Sequence, residues 1–166
     1  MPRVFVGIGS NVDREHNIRA GIRALRGVFG ALTLSPVYEA RPVGFDGQNF
    51  YNLVAAFDTD LEADAVVREL QDIERRFGRG EGAAKLSPRT LDLDLLTYGD
   101  LCRYSGAVKV PREDIDKYAF VLWPLAEIAA DLRHPATGER FCDLRAGFRG
   151  AREELWRVDL DLGQHD

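Results

Sequence analysis

Two aspartates, Asp92 and Asp94, lie two positions apart in the run TLDLDLLTY, which is otherwise typical of a buried β-strand. Side chains two apart on a strand point to the same face, with Cα atoms about 6–7 Å apart. Both carboxylates should therefore face one way, while Leu91, Leu93 and Leu95 face the other. Because Mg²⁺ takes oxygen ligands and holds nucleotide phosphates through one or two carboxylates, this pair is a candidate metal site for phosphate chemistry.

The same spacing recurs near the C-terminus, in the run WRVDLDL with Asp159 and Asp161. There the alternation predicts a strand with one apolar and one solvated face. The residues expected to face the core are Trp156, Val158, Leu160 and Leu162, and those expected to face water are Arg157, Asp159 and Asp161. The second pair is therefore interpreted as a solvated strand face, and the first pair needs support from its surroundings.

The surroundings of the first pair add positive charge. Arg89 precedes Asp92 by three residues, and Arg79 lies in a loop rich in small residues, GRGEGAAKLSP. Arginines at this place would neutralise the charge that develops on a transferred phosphoryl group. They would also lower the pKa of both carboxylates, which argues against a carboxylate-pair glycosidase, because that chemistry needs one acid with a raised pKa.

The elements that must position these residues follow a β-α-β-β-α-β order, predicted from hydrophobic periodicity. The predicted strands are Val4–Ile8, Leu32–Glu39, Phe50–Asp58 and the LDLDLL run. The predicted helices run from about Asp13 to Phe29, and through Val66, Leu70, Ile73 and Phe77 to a stop at Gly78. A final helix, turn and strand follow. This order predicts an α+β ferredoxin-like sandwich, with helices on one face of an antiparallel sheet.

Two polar motifs lie in these elements. The turn GIGSN lacks the third glycine of a dinucleotide-binding loop, so we expect a tight strand-to-helix turn capped by Asn11 or Ser10. Gln71 and Glu74, three residues apart on the second helix, form a polar patch. Taken alone, that patch is typical of a solvated helix face.

Composition narrows the function classes. The 166 residues fit one domain, 1–166, and carry 22 basic against 27 acidic side chains, a net charge of −5. Without a basic block we expect no nucleic-acid partner, and no segment predicts a signal peptide or membrane span.

Two isolated cysteines indicate a reduced, cytoplasmic protein. We expect a monomer or weak homodimer. Three scattered histidines, expected at the surface or as caps rather than in a zinc site, are His16, His134 and His165.

Taken together, the motifs resemble the 6-hydroxymethyl-7,8-dihydropterin pyrophosphokinase family of folate biosynthesis. The resemblance covers most of residues 4–130 and runs, in order, through FVGIGSN, SPVYEARPVGFDGQNFYN, IERRFGR, SPRTLDLDLLTYGD and FVLWPLAEIA. The PRTLDLD motif is highly specific when joined to GSN and FxN. The resemblance implies a ferredoxin-like fold and an enzyme that moves the terminal diphosphate of ATP to the hydroxymethyl oxygen of the pterin, releasing AMP.

The resemblance also implies roles for single residues. Asp92 and Asp94 would hold two Mg²⁺ ions that bridge the ATP phosphates and the attacking hydroxyl, and Arg79 and Arg89 would contact those phosphates. The residues that would bind ATP are Gln71, Glu74, Lys85, Arg89, Leu95 and Arg112. The residues that would form the pterin slot are Ala40, Val43, Phe50, Asn52, Leu86 and Phe120. A flat heteroaromatic ring fits between phenyl rings, and an Asn amide offers its edge both a donor and an acceptor.

The chain departs from the family pattern at four positions. The family usually carries Trp at the position of Leu86 and a further Arg at that of Glu81. After the VP dipeptide it often carries His, and then a downstream Arg, where this chain has Arg112 and Tyr118. Two alternatives therefore stay open: a paralogue that pyrophosphorylates another hydroxymethylpterin, and a pterin- or nucleotide-binding module without turnover.

Overall fold

The computed structural model describes residues 1–42, 47–78, 90–150 and 154–162. The strands are β1 (Arg3–Ser10), β2 (Thr33–Leu34), β3 (Val37–Ala40), β4 (Phe50–Asp58), β5 (Asp92–Tyr98), β6 (Arg103–Ser105), β7 (Val108–Val110) and β8 (Leu155–Val158). The helices are α1 (Arg14–Phe29), α2 (Ala63–Arg76), α3 (Asp114–Lys117), α4 (Ala119–Ala129) and α5 (Phe141–Ala146). The predicted β-α-β-β-α-β order corresponds to β1, α1, β2 with β3, β4, α2 and β5.

The main sheet is antiparallel, with strand order β5-β1-β4-β3-β8 and β2 paired to β4. Among the four predicted strands this is the order fourth, first, third, second, which is that of a ferredoxin-like sandwich and confirms the predicted fold class. β8 extends the sheet beyond β3, with Trp156 opposite Glu39. β6 and β7 form a separate hairpin.

One face of the sheet is covered by α1 and α2, because each helix carries an apolar stripe at helical spacing. The buried residues of these stripes are Ile18, Ile22 and Leu25 on α1 and Val66, Leu70 and Ile73 on α2. They pack against alternate residues of the strands, including Val6, Ile8, Leu93 and Leu95. The periodicity that predicted the two helices thus also supplies the larger core of the protein.

The opposite face is partly covered by α4, so the expectation of helices on one face only is wrong. Val121, Leu122, Leu125, Ala126 and Ala129 recur at helical spacing and are buried. They form a second core with strand residues that point away from α1 and α2: Phe5, Val54, Ala56 and Leu96. Further along this face, positions 7 and 9 of β1 are glycines and positions 92 and 94 of β5 are aspartates, and none of these joins that core.

The GSN turn forms as predicted between β1 and α1, but the predicted cap is wrong. The N-cap residue is Asp13, with φ 42°, and its side chain makes no capping hydrogen bond. Ser10 Oγ instead lies 2.6 Å from the carbonyl oxygen of Thr90, and Asn11 Nδ2 donates to Gln48 at 3.1 Å. Both polar side chains of the turn therefore tie neighbouring loops to the end of β1.

The C-terminal strand differs from its prediction at one residue. Val158, Leu160 and Leu162 pack on the larger core, and Asp159 is exposed, as expected. Trp156 was expected in the core, yet it is 41% exposed. Because β8 is the outermost strand of the sheet, its apolar side is less fully covered than that of β1 or β4.

Three smaller expectations concern cysteines, histidines and membranes. Cys102 and Cys142 are free thiols. His134 is buried and accepts hydrogen bonds at Nδ1 from the N–H groups of Ala136 and Thr137, at 3.1 and 3.2 Å, so it is the predicted kind of cap. None of the described helices combines the length and apolar character needed to cross a bilayer. Cytoplasmic location and oligomeric state stay predictions.

Candidate active site

Asp92 and Asp94 lie on β5 in the arrangement that their spacing predicted. Asp92 stands opposite Gly9 and Asp94 opposite Gly7 on β1, while the alternate residue Leu93 is only 5% exposed and belongs to the α1–α2 core. Because the opposing residues are glycines, no cross-strand side chain covers the two carboxylates. The pair, called here the carboxylate pair, therefore faces main chain rather than side chains on β1.

Burial and mutual repulsion dominate the electrostatics of the pair. The pKa of Asp94 is raised well above its ordinary value of 3.8, first by burial and then by the neighbouring charge of Asp92. Arg112 lowers this pKa, since its Nη2 lies 3.5 Å from Asp94 Oδ1, but it does not reverse the shift. The expectation that flanking arginines lower the pKa of both carboxylates is therefore wrong for Asp94.

This electrostatic arrangement fits a divalent cation. A cation between two close carboxylates relieves their repulsion and favours the ionised form of Asp94. Among the described residues no group of three or more His, Cys, Asp or Glu side chains could hold a metal ion. Magnesium sites of nucleotide enzymes suit such a sparse donor set, because one or two carboxylates are completed by waters and substrate phosphates.

Beside the carboxylate pair, Asn52 presents a polar edge. It lies on β4 opposite Gly9, and an added Cβ at Gly9 would stand 2.9 Å from Asn52 Oδ1 and 3.7 Å from the Phe50 ring. Asn52 Nδ2 is buried without a hydrogen-bond partner among the described residues. Because an unpaired buried donor is costly, this amide suits a ligand that brings an acceptor to it.

The remaining described residues of the predicted pterin slot lie around Asn52 and on α4. Ala40 is buried on β3 and pairs directly with Phe50. Phe120 lies in the first turn of α4 and stacks on Tyr118, with ring centroids 4.9 Å apart. The strand residues of the predicted slot are thus brought together beside the carboxylate pair, while an aromatic pair begins the helix that packs on the same face.

Of the residues predicted to bind ATP, Glu74 has a structural role that was not anticipated. It is only 8% exposed, and its Oε2 accepts a hydrogen bond of 2.8 Å from the backbone N–H of Leu93. Glu74 therefore accepts a hydrogen bond from the outer edge of β5, at the residue between the two aspartates. It does not lie on a solvated helix face. Gln71 is exposed one turn earlier on α2, and Leu95 is buried in the larger core. Their roles toward ATP stay predictions.

Several predicted site residues lie outside the described part of the chain. They are Val43, Arg79, Glu81, Lys85, Leu86 and Arg89. Thr90, which follows Arg89, is described, and its carbonyl is held by Ser10 as noted above. The catalytic roles of Arg79 and Arg89, the ATP contact of Lys85 and the slot roles of Val43 and Leu86 therefore stay predictions.

Sequence reasoning missed a polar network behind the slot. Arg14 Nη1 donates to Glu39 Oε2 at 3.1 Å and to the carbonyl of Asn49 at 2.9 Å, and its guanidinium lies 4.0 Å from the centre of the Tyr51 ring. Asn49 Nδ2 donates to the same Glu39 oxygen at 3.1 Å. These contacts fix the chain just before Phe50. Spacing gave no signal for them, because Arg14 lies 25 residues or more from its partners and Asn49 lies ten residues from Glu39, in helix, loop and strand.

Asp114 was also missed. Its Oδ1 lies 3.5 Å from Arg112 Nε, so Arg112 stands between Asp94 and Asp114. The three groups come from β5, the segment after β7 and the start of α3. No sequence pattern joins them, since a contact between such segments depends on how the β6–β7 hairpin returns the chain to β5.

The fold and the site together define a ferredoxin-like α+β domain with a paired-carboxylate site on the half of the sheet face that α4 leaves uncovered. Comparison with known proteins identifies its family. Residues 5–130 match the family described as 7,8-dihydro-6-hydroxymethylpterin-pyrophosphokinase (HPPK), and the chain belongs to this family.

Curated relatives agree with this assignment. The chain is 39% identical to the 2-amino-4-hydroxy-6-hydroxymethyldihydropteridine pyrophosphokinase of Pseudomonas aeruginosa, over 80% of this chain and 84% of the relative. It is 35% identical to the protein of the same name from Aquifex aeolicus, over 81% of this chain and 85% of the relative.

Solved structures show the same fold at much lower sequence identity. A structure described as HPPK-DHPS in complex with substrates superposes with a TM-score of 0.72 at 10% identity, over 89% of this chain and 43% of that one. Plasmodium falciparum HPPK-DHPS A437G with SDX-DHP gives 0.70 at 10% identity, over 89% and 42%. This chain thus spans less than half the length of these structural relatives, and the likeness carries the fold alone.

Proposed function

We propose that this protein transfers diphosphate from ATP to the hydroxymethyl group of 6-hydroxymethyl-7,8-dihydropterin, with release of AMP. The observation that carries the proposal is the carboxylate pair, Asp92 and Asp94, facing glycines on β1 beside Asn52, whose Nδ2 has no hydrogen-bond partner among the described residues. A site for phosphate-bound cations and a site for a heteroaromatic edge thus adjoin on one sheet face. The proposal is supported by membership of the pyrophosphokinase family over residues 5–130.

The reaction is a displacement at the β-phosphorus of ATP. The hydroxymethyl oxygen forms a bond to that phosphorus, the bond from it to the α-phosphate oxygen breaks, and the hydroxyl proton is released as AMP leaves. In such transfers the protein contributes mainly position and electrostatic stabilisation. The rigid β5–β1 pairing supplies position here, because it fixes both carboxylates relative to Asn52.

Asp92 and Asp94 would hold two Mg²⁺ ions. Ions held there would supply positive charge to offset the charge that develops on the transferred group. The contribution of the chain is to present two ionised carboxylates on one face, with Glu74 holding the N–H of Leu93 between them. Arg79, Arg89 and Lys85 would add positive charge from the loop before β5.

Asn52 and Phe50 would hold the pterin. Asn52 Nδ2, which has no partner in the described part of the chain, would donate to an acceptor on the pterin edge, and the ring of Phe50 offers a flat apolar surface beside it. Ala40 completes the floor, because it pairs with Phe50 on the neighbouring strand. Phe120 would cover the opposite side of the ring from α4.

AMP release from ATP, Mg²⁺ and the dihydropterin tests this function. Wild type is expected to release AMP stoichiometrically with pterin diphosphate. Asp92→Ala or Asp94→Ala should lower the rate by at least about 10²–10³-fold, as loss of a transition-state stabiliser does. The matched control is Asp159→Ala, which removes an exposed carboxylate of the second Asp-x-Asp pair and should keep the wild-type rate.

Other outcomes of this assay would contradict the proposal. AMP release with another hydroxymethylpterin but not with this one would identify the paralogue. Binding of ATP and dihydropterin without AMP would identify a module that does not turn over. Equal losses of rate in Asp94→Ala and Asp159→Ala would show that the carboxylate pair has no special role.

A further inference from the structure

Arg112, in the segment after β7, forms an ion pair with Asp94 of the carboxylate pair. Its backbone N–H donates to the carbonyl of Leu96 at 2.9 Å, so its main chain is fixed against the strand that carries Asp94. Its side chain is 26% exposed and spans two carboxylates: Nη2 lies 3.5 Å from Asp94 Oδ1, and Nε lies 3.5 Å from Asp114 Oδ1. Asp114 is the more enclosed partner, with 15% of its side chain exposed against 28% for Asp94.

The contacts of this guanidinium rest on charge more than on aligned hydrogen bonds. Nε is buried without a hydrogen-bond partner among the described residues, and both ion-pair distances are longer than a charge-assisted hydrogen bond. By contrast, Arg103 and Asp64 form a two-pronged pair at 2.9 and 3.0 Å. Arg112 is therefore anchored at its backbone, while its guanidinium is only loosely committed to Asp94.

A cation at this place competes with a metal ion. A divalent ion bound by Asp94 would be repelled by a guanidinium on the same carboxylate. A metal that arrives with nucleotide phosphates changes this balance, because the phosphates offer the guanidinium new acceptors in exchange. Because the Arg112 guanidinium lies 3.5 Å from both Asp94 and Asp114, it can release Asp94 without movement of its backbone.

We propose that Arg112 is an internal counter-cation of Asp94 and that it releases this carboxylate when a nucleotide-bound metal ion arrives. Asp114 is then the positioning residue, because it keeps the released guanidinium beside the phosphates. This inference rests on the proposed function of the same site. Its consequence is a coupling between metal and nucleotide: the free protein binds the metal ion weakly, and the nucleotide strengthens that binding. By linkage, the metal strengthens nucleotide binding by the same factor.

Manganese binding, measured by electron paramagnetic resonance of free Mn²⁺, tests the exchange. Without nucleotide, Arg112→Gln is expected to tighten Mn²⁺ binding on the order of tenfold, because the competing cation is gone. With a non-hydrolysable ATP analogue, the same variant is expected to weaken the binding of the metal–nucleotide complex by a similar factor. A residue with a merely structural role would weaken both. The matched control is Arg103→Gln, which breaks the ion pair with Asp64 and should change neither affinity.

A double-mutant cycle tests Asp114. Asp114→Asn should weaken binding of the metal–nucleotide complex in the wild-type background, but by several-fold less when Arg112 is already Gln, because the residue to be positioned is absent. Equal effects in the two backgrounds would overturn the positioning role, and no tightening of Mn²⁺ by Arg112→Gln would overturn the exchange. AMP release by wild type is read separately, so loss of this inference and loss of the proposed function give different results.

Discussion

Asp92 and Asp94 stand on β5 opposite Gly9 and Gly7, whereas Asp159 and Asp161 follow the end of the edge strand β8 and are exposed. The first pair is partly buried, and one member shares Arg112 with Asp114. At the second pair the main chain makes the contact to the helix layer, since the carbonyl of Asp161 accepts from Arg19 Nε at 2.6 Å.

The difference between the pairs shows that an Asp-x-Asp spacing needs particular neighbouring groups before its carboxylates can form an active site. Both pairs place two carboxylates on one side of an extended segment. The first pair faces glycines on an adjacent strand and lies beside Asn52, whose Nδ2 has no hydrogen-bond partner among the described residues, whereas the second pair follows the end of β8 and is exposed. The neighbours, and not the spacing, separate a candidate active site from a solvated edge.

The larger of two expected effects comes from a substitution at Gly9, which lies opposite Asp92 of the first pair. Gly9→Ala would place a Cβ 2.9 Å from Asn52 Oδ1, so the amide must move. Because a mispositioned hydrogen-bond donor in a buried site costs about 1–3 kcal/mol, pterin affinity should fall by about fivefold to 10²-fold, as measured by calorimetry. Thermal stability should change little, since the displaced atom is the end of a side chain.

Gly7→Ala is the matched control for this prediction. The atoms nearest to an added Cβ there belong to the side chain of Leu96, from 3.6 Å, which is an ordinary contact. Pterin affinity should stay near that of wild type. Equal losses in both variants would mean that the glycines matter for the sheet as a whole and not for the placement of Asn52.

A smaller effect concerns the pH dependence of stability. In the unfolded chain the carboxyl of Asp94 ionises near 3.8, and in the folded protein its pKa is raised by burial and by Asp92. The folded state therefore binds more protons above pH 3.8. The stabilising contribution is fully present below that pH and is lost as the pH rises through the folded pKa.

Asp94→Asn removes this dependence. At neutral pH and without metal, the variant is expected to be more stable than wild type, because the amide carries no charge that burial and Asp92 disfavour. Urea denaturation from pH 4 to 8 with a chelator measures the change. Asp159→Asn serves as the matched control for loss of one charge. A gain in stability of the same size in both variants would refute the special environment of Asp94.

Much of the fold follows from the sequence because its elements are locally encoded. The apolar stripes of α1 and α2 and the alternation in β5 predict both the elements and the side chains that each buries. The placement of α4 could not be predicted in this way. Its run FVLWPLAEIA is apolar nearly all round, so periodicity does not say which face of the sheet it covers.

The candidate site likewise has features that local sequence patterns predict and features that they do not. Asp92 and Asp94 share a face because two residues of one strand must do so, and the pairing of Asn52 with Gly9 follows from the predicted strands once their register is known. The contacts of Arg112 with Asp94 and Asp114 depend on a hairpin and a short helix, which no local pattern relates to β5. The pKa of Asp94 was mispredicted for a related reason, because burial is a property of the assembled sheet.

The position of the bound metal ion is the most direct test of Asp92 and Asp94 as the metal ligands. Crystals grown with Mn²⁺ and a non-hydrolysable ATP analogue can be measured at the manganese absorption edge, where anomalous scattering identifies each ion. We expect manganese within coordination distance of the carboxylates of Asp92 and Asp94 and of the nucleotide phosphates, and none at Asp159 or Asp161. Bound nucleotide with manganese away from Asp92 and Asp94 would contradict this expectation.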